Sequence, residues 1–120
     1  MIDLFTLDPV SLTAALVDVP SVSHEERPLA DMLERALRLI PGVEVLRHEN
    51  SLVARTQRGL PQRVVLAGHI DTVPIAENVP CVRGVNDQGE DTLFGCGTVD
   101  MKSGLAVYLA VFARLANDPA

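Results

Sequence analysis

Apolar positions in the first 40 residues recur at helical spacing in two blocks. Leu12, Ala15, Leu16 and Val19 share one face behind Asp8-Pro9, which offers a carboxylate N-cap and a proline for the first turn. The pattern predicts a helix ending near residue 20. Ser23-His24-Glu25-Glu26 then has the form of a capping box, serine at the N-cap and glutamate three residues on. It precedes Leu29, Met32, Leu33, Ala36, Leu37 and Ile40, so a second helix is expected up to Pro41-Gly42. Beyond that, residues 43–47 and 52–56 are β-rich runs separated by Glu49-Asn50-Ser51, which suits an antiparallel pair. Residues 63–70 (RVVLAGHI) are nearly all apolar, the pattern of a strand covered on both faces and hence of the sheet centre. Residues 81–85 and 92–94 flank a polar tip containing Gly89, as in a surface hairpin, and residues 104–116 read as a helix apolar nearly all round.

This order of elements predicts an α/β fold, a three-layer sandwich in which helices flank a mixed β-sheet. No repeat, low-complexity tract or long linker interrupts it. The chain stops soon after a helix of buried type with no further strand for it to cover, so residues 1–120 are expected to be the N-terminal part of a larger domain.

Charge narrows the partners. At 48% hydrophobic residues the 120-residue chain can bury a real core, and its net charge of −6 disfavours nucleic acid and anionic membranes as partners. Lys102 is the single lysine, and no basic cluster exceeds an isolated pair. A small solute is the expected partner. With no signal-like segment, and an apolar stretch at residues 105–113 too short to span a bilayer, a cytoplasmic location is expected. Cys81 and Cys96 form no CxxC pair and are expected as free thiols, although Cys96 stands close enough to Asp100 in sequence to be weighed as a ligand.

Two segments carry candidate chemistry. Gly68-His69-Ile70-Asp71-Thr72-Val73-Pro74 closes the buried run, and in extended chain His69 and Asp71 point to one side, where a carboxylate can brace an imidazole. Alone, H-x-D fits a structural histidine at a strand end as well as a metal ligand. Gly95-Cys96-Gly97-Thr98-Val99-Asp100-Met101-Lys102-Ser103-Gly104 is a glycine-rich loop entering a helix. It is a poor phosphate cradle, because Met101 stands where a P-loop needs glycine and Asp100 would repel the anion. The dinucleotide fingerprint fails too, since Asp100 replaces its third glycine. Alone, Asp100 could simply cap the helix that follows.

Together, G-H-x-D-T-V-P and G-x-G-x-x-D-M-K-x-G resemble the metal-site signature of the zinc aminoacyl hydrolases, and Pro20-Ser21-Val22-Ser23 with Glu26 resembles that family's first-helix junction. The resemblance implies that His69 binds one zinc ion, that Asp71 is the catalytic-site carboxylate orienting His69, and that Asp100 bridges two zinc ions, with cobalt able to substitute. It also implies a cis Asp100-Met101 peptide, a small-molecule N-acyl amino-acid substrate and a homodimer formed through a smaller second domain. The wording GCGTVDMKSG favours, within the family, cleavage of an N-succinyl amide of a diamino acid, with N-acetyl amides and dipeptides as alternatives. No position here matches the downstream acidic pair that supplies the family's general base, its further acidic ligand or its final histidine. Glu25, Glu26 and Glu90 have ordinary capping or hairpin roles, His24 and His48 belong to the surface, and Gly104 serves close backbone approach. Lys102 is expected either to neutralise the carboxylates or to sit solvated at the helix start. Two named metal donors fall short of the three protein ligands typical of one catalytic zinc. The 120 residues alone are therefore expected to be inactive, a fragment or folding module with weak metal binding.

Overall fold

The computed structural model describes Asp3, Leu4 and residues 6–118. Helix α1, Pro9–Val17, starts as its sequence dictates: the Asp8 carboxylate accepts the Ser11 N–H at 2.8 Å. It buries Leu12, Thr13, Leu16 and Val17. Helix α2, Arg27–Arg38, buries Leu29, Ala30, Leu33, Ala36 and Leu37. It begins three residues later than a capping box at Ser23 would place it, with Glu26 at the N-cap. Pro28 explains the difference, because proline is tolerated in a helix's first turn but not further in, where its missing N–H and its ring break the ladder.

Strands β1, Val43–His48, and β2, Ser51–Thr56, pair antiparallel with Val43 opposite Thr56 and His48 opposite Ser51, so the two-residue turn is Glu49-Asn50. Arg47 ties β1 to α2 by donating from Nη1 to Asp31 at 2.6 Å and Glu34 at 2.9 Å. The second hairpin joins β3, Val82–Val85, to β4, Asp91–Phe94, with Val82 opposite Phe94. Helix α3, Ser103–Asn117, closes the described chain. Its Ala106, Leu109 and Ala113 join Leu12 and Leu16 of α1, Leu29, Leu33 and Leu37 of α2, Ile40 and Val45 in one core.

Both hairpins and all three helices were legible in the hydrophobic pattern, and the fold is α/β. The sheet is not the single mixed one expected: among the described residues there are two separate two-stranded antiparallel sheets. The main correction concerns residues 63–70. They form no strand; Val64 is 87% and Val65 74% exposed, so the expected sheet centre is an uncovered segment without regular structure. Its apolar composition encodes two covered faces, but composition cannot supply the strands that would cover them. Helix α3 is likewise apolar all round while Val107, Val111 and Leu115 stay exposed.

Candidate metal centre

The segment from His69 to Thr72 is held by main-chain bonds rather than by a sheet. Thr72 makes an isolated parallel bridge to Val22, in which the Thr72 N–H donates to the Ser21 oxygen at 2.9 Å and the Ser23 N–H donates to the Thr72 oxygen at 3.1 Å. The buried Ser21 hydroxyl adds a 2.7 Å bond to the Ile70 carbonyl.

The second segment, Thr98–Lys102, is a wide irregular turn ahead of α3, in which Asp100 (φ −130°, ψ 93°) and Met101 (φ −134°, ψ 36°) leave helical geometry. The Asp100-Met101 peptide is cis, as the resemblance implied. Gly97 opens the turn at φ 82°, and a Cβ there would lie 2.6 Å from Thr72 Cγ2, so both the left-handed backbone and the close approach require glycine. Gly68 is less constrained: a Cβ on it would fall 2.8 Å from the Met101 methyl carbon, the far end of a flexible side chain. Met101 thereby lies over the strand-like segment, and its sulfur accepts the His69 N–H at 3.4 Å.

Lys102 answers neither expectation stated for it. It is 1% exposed, and its Nζ donates to the main-chain oxygens of Leu16 at 2.8 Å and Val19 at 2.9 Å, at the C-terminal end of α1. The Leu16 oxygen also accepts the Val19 N–H at 3.3 Å in the closing turn of the helix, and the ammonium meets the negative end of the helix dipole. Burial pushes the Lys102 pKa down, with Cys96 and Asp18 opposing the shift.

These anchors bring the two motifs together. His69 Nε2 lies 2.9 Å from Asp100 Oδ1, and His69 Nδ1 lies 3.1 Å from the Asp71 main-chain oxygen and 3.2 Å from Asp71 Oδ1. One ring nitrogen thus faces the carboxylate of the distant loop, while the other faces both acceptors of Asp71. Burial lowers the His69 pKa but is outweighed by the Asp100 hydrogen bond, the Asp71 carbonyl and the two carboxylate charges, so the net shift is upward. The Asp71 pKa is lowered, first by the Ser23 hydroxyl that donates to its Oδ2 at 2.5 Å, with burial opposing and the charge of His69 assisting.

The donor set suits a borderline metal ion such as zinc, for which imidazole nitrogen and carboxylate oxygen are ordinary ligands at roughly 2.0–2.2 Å. Two donors 2.9 Å apart can both reach one ion at that distance. The Asp100 side chain is 80% exposed, which leaves a carboxylate open to a second ion. The set is partial: among the described residues no three His, Cys, Asp or Glu side chains converge on one point.

Other candidates fall away from this point. Cys96 is buried with its thiol toward Thr72 Oγ1 and the Val73 carbonyl, and Cys81 is also free. His24 and His48 are exposed, Glu26 accepts the His24 N–H, and Glu90 accepts from the Asn86 side chain. Sequence reasoning missed Ser23, assigned to a helix cap, and the burial of Lys102. Pro28 was the available signal for the first; the second rests on packing against α1, for which the local sequence carries no signal.

Residues 65–120, which span both motifs, match the family described as Peptidase family M20/M25/M40. The chain is 59% identical over 113 residues to a succinyl-diaminopimelate desuccinylase of Corynebacterium glutamicum, covering 92% of this chain and 29% of that protein. A Mycobacterium tuberculosis protein provisionally given the same name is 52% identical over 111 residues, covering 92% of this chain and 30% of the relative. A succinyl-diaminopimelate desuccinylase of Caulobacter vibrioides is 32% identical over 120 residues, covering 95% of this chain and 31% of the relative. The second half of the chain thus matches this peptidase family, and nine-tenths of the chain is similar to the relatives named above. The sequence is similar to succinyl-diaminopimelate desuccinylases, and the chain spans about three-tenths of the length of the curated relatives it matches.

Proposed function

We propose that this chain is the N-terminal part of the catalytic domain of a zinc-dependent amidohydrolase. The reaction we assign to the whole protein is hydrolysis of N-succinyl-LL-2,6-diaminopimelate to succinate and LL-2,6-diaminopimelate, a step toward lysine and diaminopimelate. The observation that carries this reading is the 2.9 Å approach of His69 Nε2 to Asp100 Oδ1 from segments 31 residues apart. The identity to relatives named for that reaction supports the choice of substrate.

In this reading His69 would hold one zinc ion, Asp71 orients its ring from the Nδ1 side, and Asp100 would serve both ions of a pair. When bound, such a pair supplies Lewis acidity toward an amide carbonyl and lowers the pKa of water toward neutrality. The chain's own part is positional. A histidine whose Nδ1–H is held by the carbonyl and carboxylate of Asp71 keeps its proton there and presents an unprotonated Nε2. Asp100 contributes negative charge from a loop fixed by Gly97 and Lys102. Cobalt is the expected substitute for zinc, and the complete protein is assigned to the cytoplasm as a homodimer in a three-layer sandwich. Among the described residues no helix is long and apolar enough to cross a membrane.

The test uses the complete protein carrying this chain. Primary-amine release from N-succinyl-LL-2,6-diaminopimelate, from N-acetylornithine and from a dipeptide is compared before and after His69→Ala and Asp100→Ala, with zinc content measured on each. Preference for the succinyl substrate together with loss of zinc in both variants is expected. Full zinc content and unchanged turnover in either variant would remove the assignment, whereas preference for N-acetylornithine or a dipeptide would move it elsewhere in the family.

A further inference from the structure

The Ser23 hydroxyl is spent neither on a helix cap nor on solvent alone. Its oxygen lies 2.5 Å from Asp71 Oδ2, against 3.4 Å from the Thr72 carbonyl, so its single proton is directed to the carboxylate. The other oxygen of the same carboxylate lies 3.2 Å from His69 Nδ1. Ser23 reaches this position because the flanking bonds of the parallel bridge, Thr72 N–H to Ser21 and Ser23 N–H to Thr72, lock the two segments in register.

The two acceptors at Nδ1 differ in how they are held. The Asp71 carbonyl is fixed by the main chain, whereas the carboxylate can swing about its side-chain torsions. Only the carboxylate brings a full negative charge, and that charge makes the opposite ring nitrogen a better donor to a cation. Whether it faces His69 therefore depends on what holds its far oxygen, and the group within reach is Ser23.

We infer that Ser23 is a positioning residue of the metal centre: by holding Asp71 Oδ2 it turns Asp71 Oδ1 onto His69 Nδ1 and so strengthens cation binding through Nε2. The inference deepens the function proposed above and rests on it for the identity of the ligand. Because Ser23 is exposed and acts at one remove, its effect falls below that of a group touching the histidine. Replacement of such groups costs roughly 10–100-fold in metal affinity, and Ser23→Ala is expected to cost about 3- to 10-fold.

The experiment measures zinc affinity by chelator competition in the complete protein, for Ser23→Ala, Ser23→Thr, Asp71→Asn and the double variant Ser23→Ala/Asp71→Asn. It also records the His69 imidazole nitrogen resonances in the metal-free protein at fixed pH. Expected are a loss in Ser23→Ala, retention in Ser23→Thr, no further loss when Ser23→Ala is added to Asp71→Asn, and a displaced Nδ1 resonance in Ser23→Ala. Should Ser23→Ala not fold, Ser23→Cys keeps the volume with a much weaker donor and is expected to behave likewise. An equal loss in both Asp71 backgrounds, or an unmoved Nδ1 resonance, overturns the role of Ser23. Unchanged zinc affinity in His69→Ala overturns the metal reading instead, and the metal-free resonances still decide on Ser23.

Discussion

Lys102 donates from a buried Nζ to the main-chain oxygen of Leu16 at 2.8 Å, so a residue two places from the candidate bridging carboxylate is tied to the end of a helix 86 positions away. With the second bond to Val19 and the Lys102 N–H to Gly97 bond of 2.8 Å, this contact couples the exit of α1 to the loop that presents Asp100. The site's geometry therefore depends on a core contact as well as on its own side chains.

Lys102→Met keeps much of the side-chain volume and removes both donations. Two main-chain oxygens then lose a charged partner, each worth roughly 1.5–3 kcal/mol, partly offset because a charge no longer has to be buried. A net destabilisation of about 2–3 kcal/mol is expected in urea unfolding. A change within about 0.5 kcal/mol would show that the contact contributes nothing net.

Residues 63–66 give a second prediction. Val64, Val65 and Leu66 are exposed outside any strand or helix, and such an uncovered apolar segment invites pairing with other chains. The 120-residue chain alone should bind a hydrophobic dye and self-associate with rising concentration, and Val64→Lys with Val65→Thr should reduce both. Light scattering and dye fluorescence check this; an unchanged signal in the double variant would place the sticky surface elsewhere, with α3 and its exposed Val107, Val111 and Leu115 the next to examine.

What could be read in advance follows the range of the forces involved. Asp8-Pro9 starts α1, the alternating residues of β1 and β2 meet in an unbroken register, and the hairpin tip closes between Asn86 and Glu90; each is set within a few residues of chain. Residues 63–70 were misread because an apolar run states only that cover is wanted, not where it comes from. The His69–Asp100 approach was expected from the family that the paired motifs resemble; taken singly, His69 fits a structural histidine and Asp100 a helix cap. Ser23 was misassigned by weighing Glu26 and overlooking Pro28, although proline alone forbids a helix that starts so early. The burial of Lys102 depends on packing between α1 and the loop, and no local pattern encodes that.

The pH dependence of the metal-free protein has opposite signs at the two partners. His69 has a folded-state pKa raised above 6.5, so its contribution is fully present below 6.5 and is lost as pH rises through the raised value. Asp71 has a pKa lowered below 3.8, so its contribution is present above 3.8 and is lost as pH falls through the lowered value. In chelator-treated protein, the stability gap between the parent and His69→Gln should be widest between 3.8 and 6.5 and close above it. Zinc uptake should show the reverse trend, tightening as pH rises, because the Nε2 proton between His69 and Asp100 must leave first. A gap that widens above neutrality would contradict the charged His69–Asp100 contact.

Gly97 permits the separation of two effects usually measured together. Gly97→Ala must adopt φ 82° with a Cβ 2.6 Å from Thr72 Cγ2, so it carries both a left-handed backbone penalty of about 1–2 kcal/mol and a steric clash. The neighbour cannot easily yield, since Thr72 is buried and held by the bridge to Val22. A total loss of about 3 kcal/mol is expected. Thr72→Ser deletes the offending Cγ2 but keeps the hydroxyl near Cys96 and the Val73 carbonyl. If clash is the larger part, the double variant Gly97→Ala/Thr72→Ser should be less destabilised than the sum of the single variants by about 1 kcal/mol or more, the coupling expected of residues in contact. Strict additivity in urea unfolding would leave the backbone conformation as the whole cost and would remove the close approach of the loop to Thr72 as a constraint on where Asp100 sits.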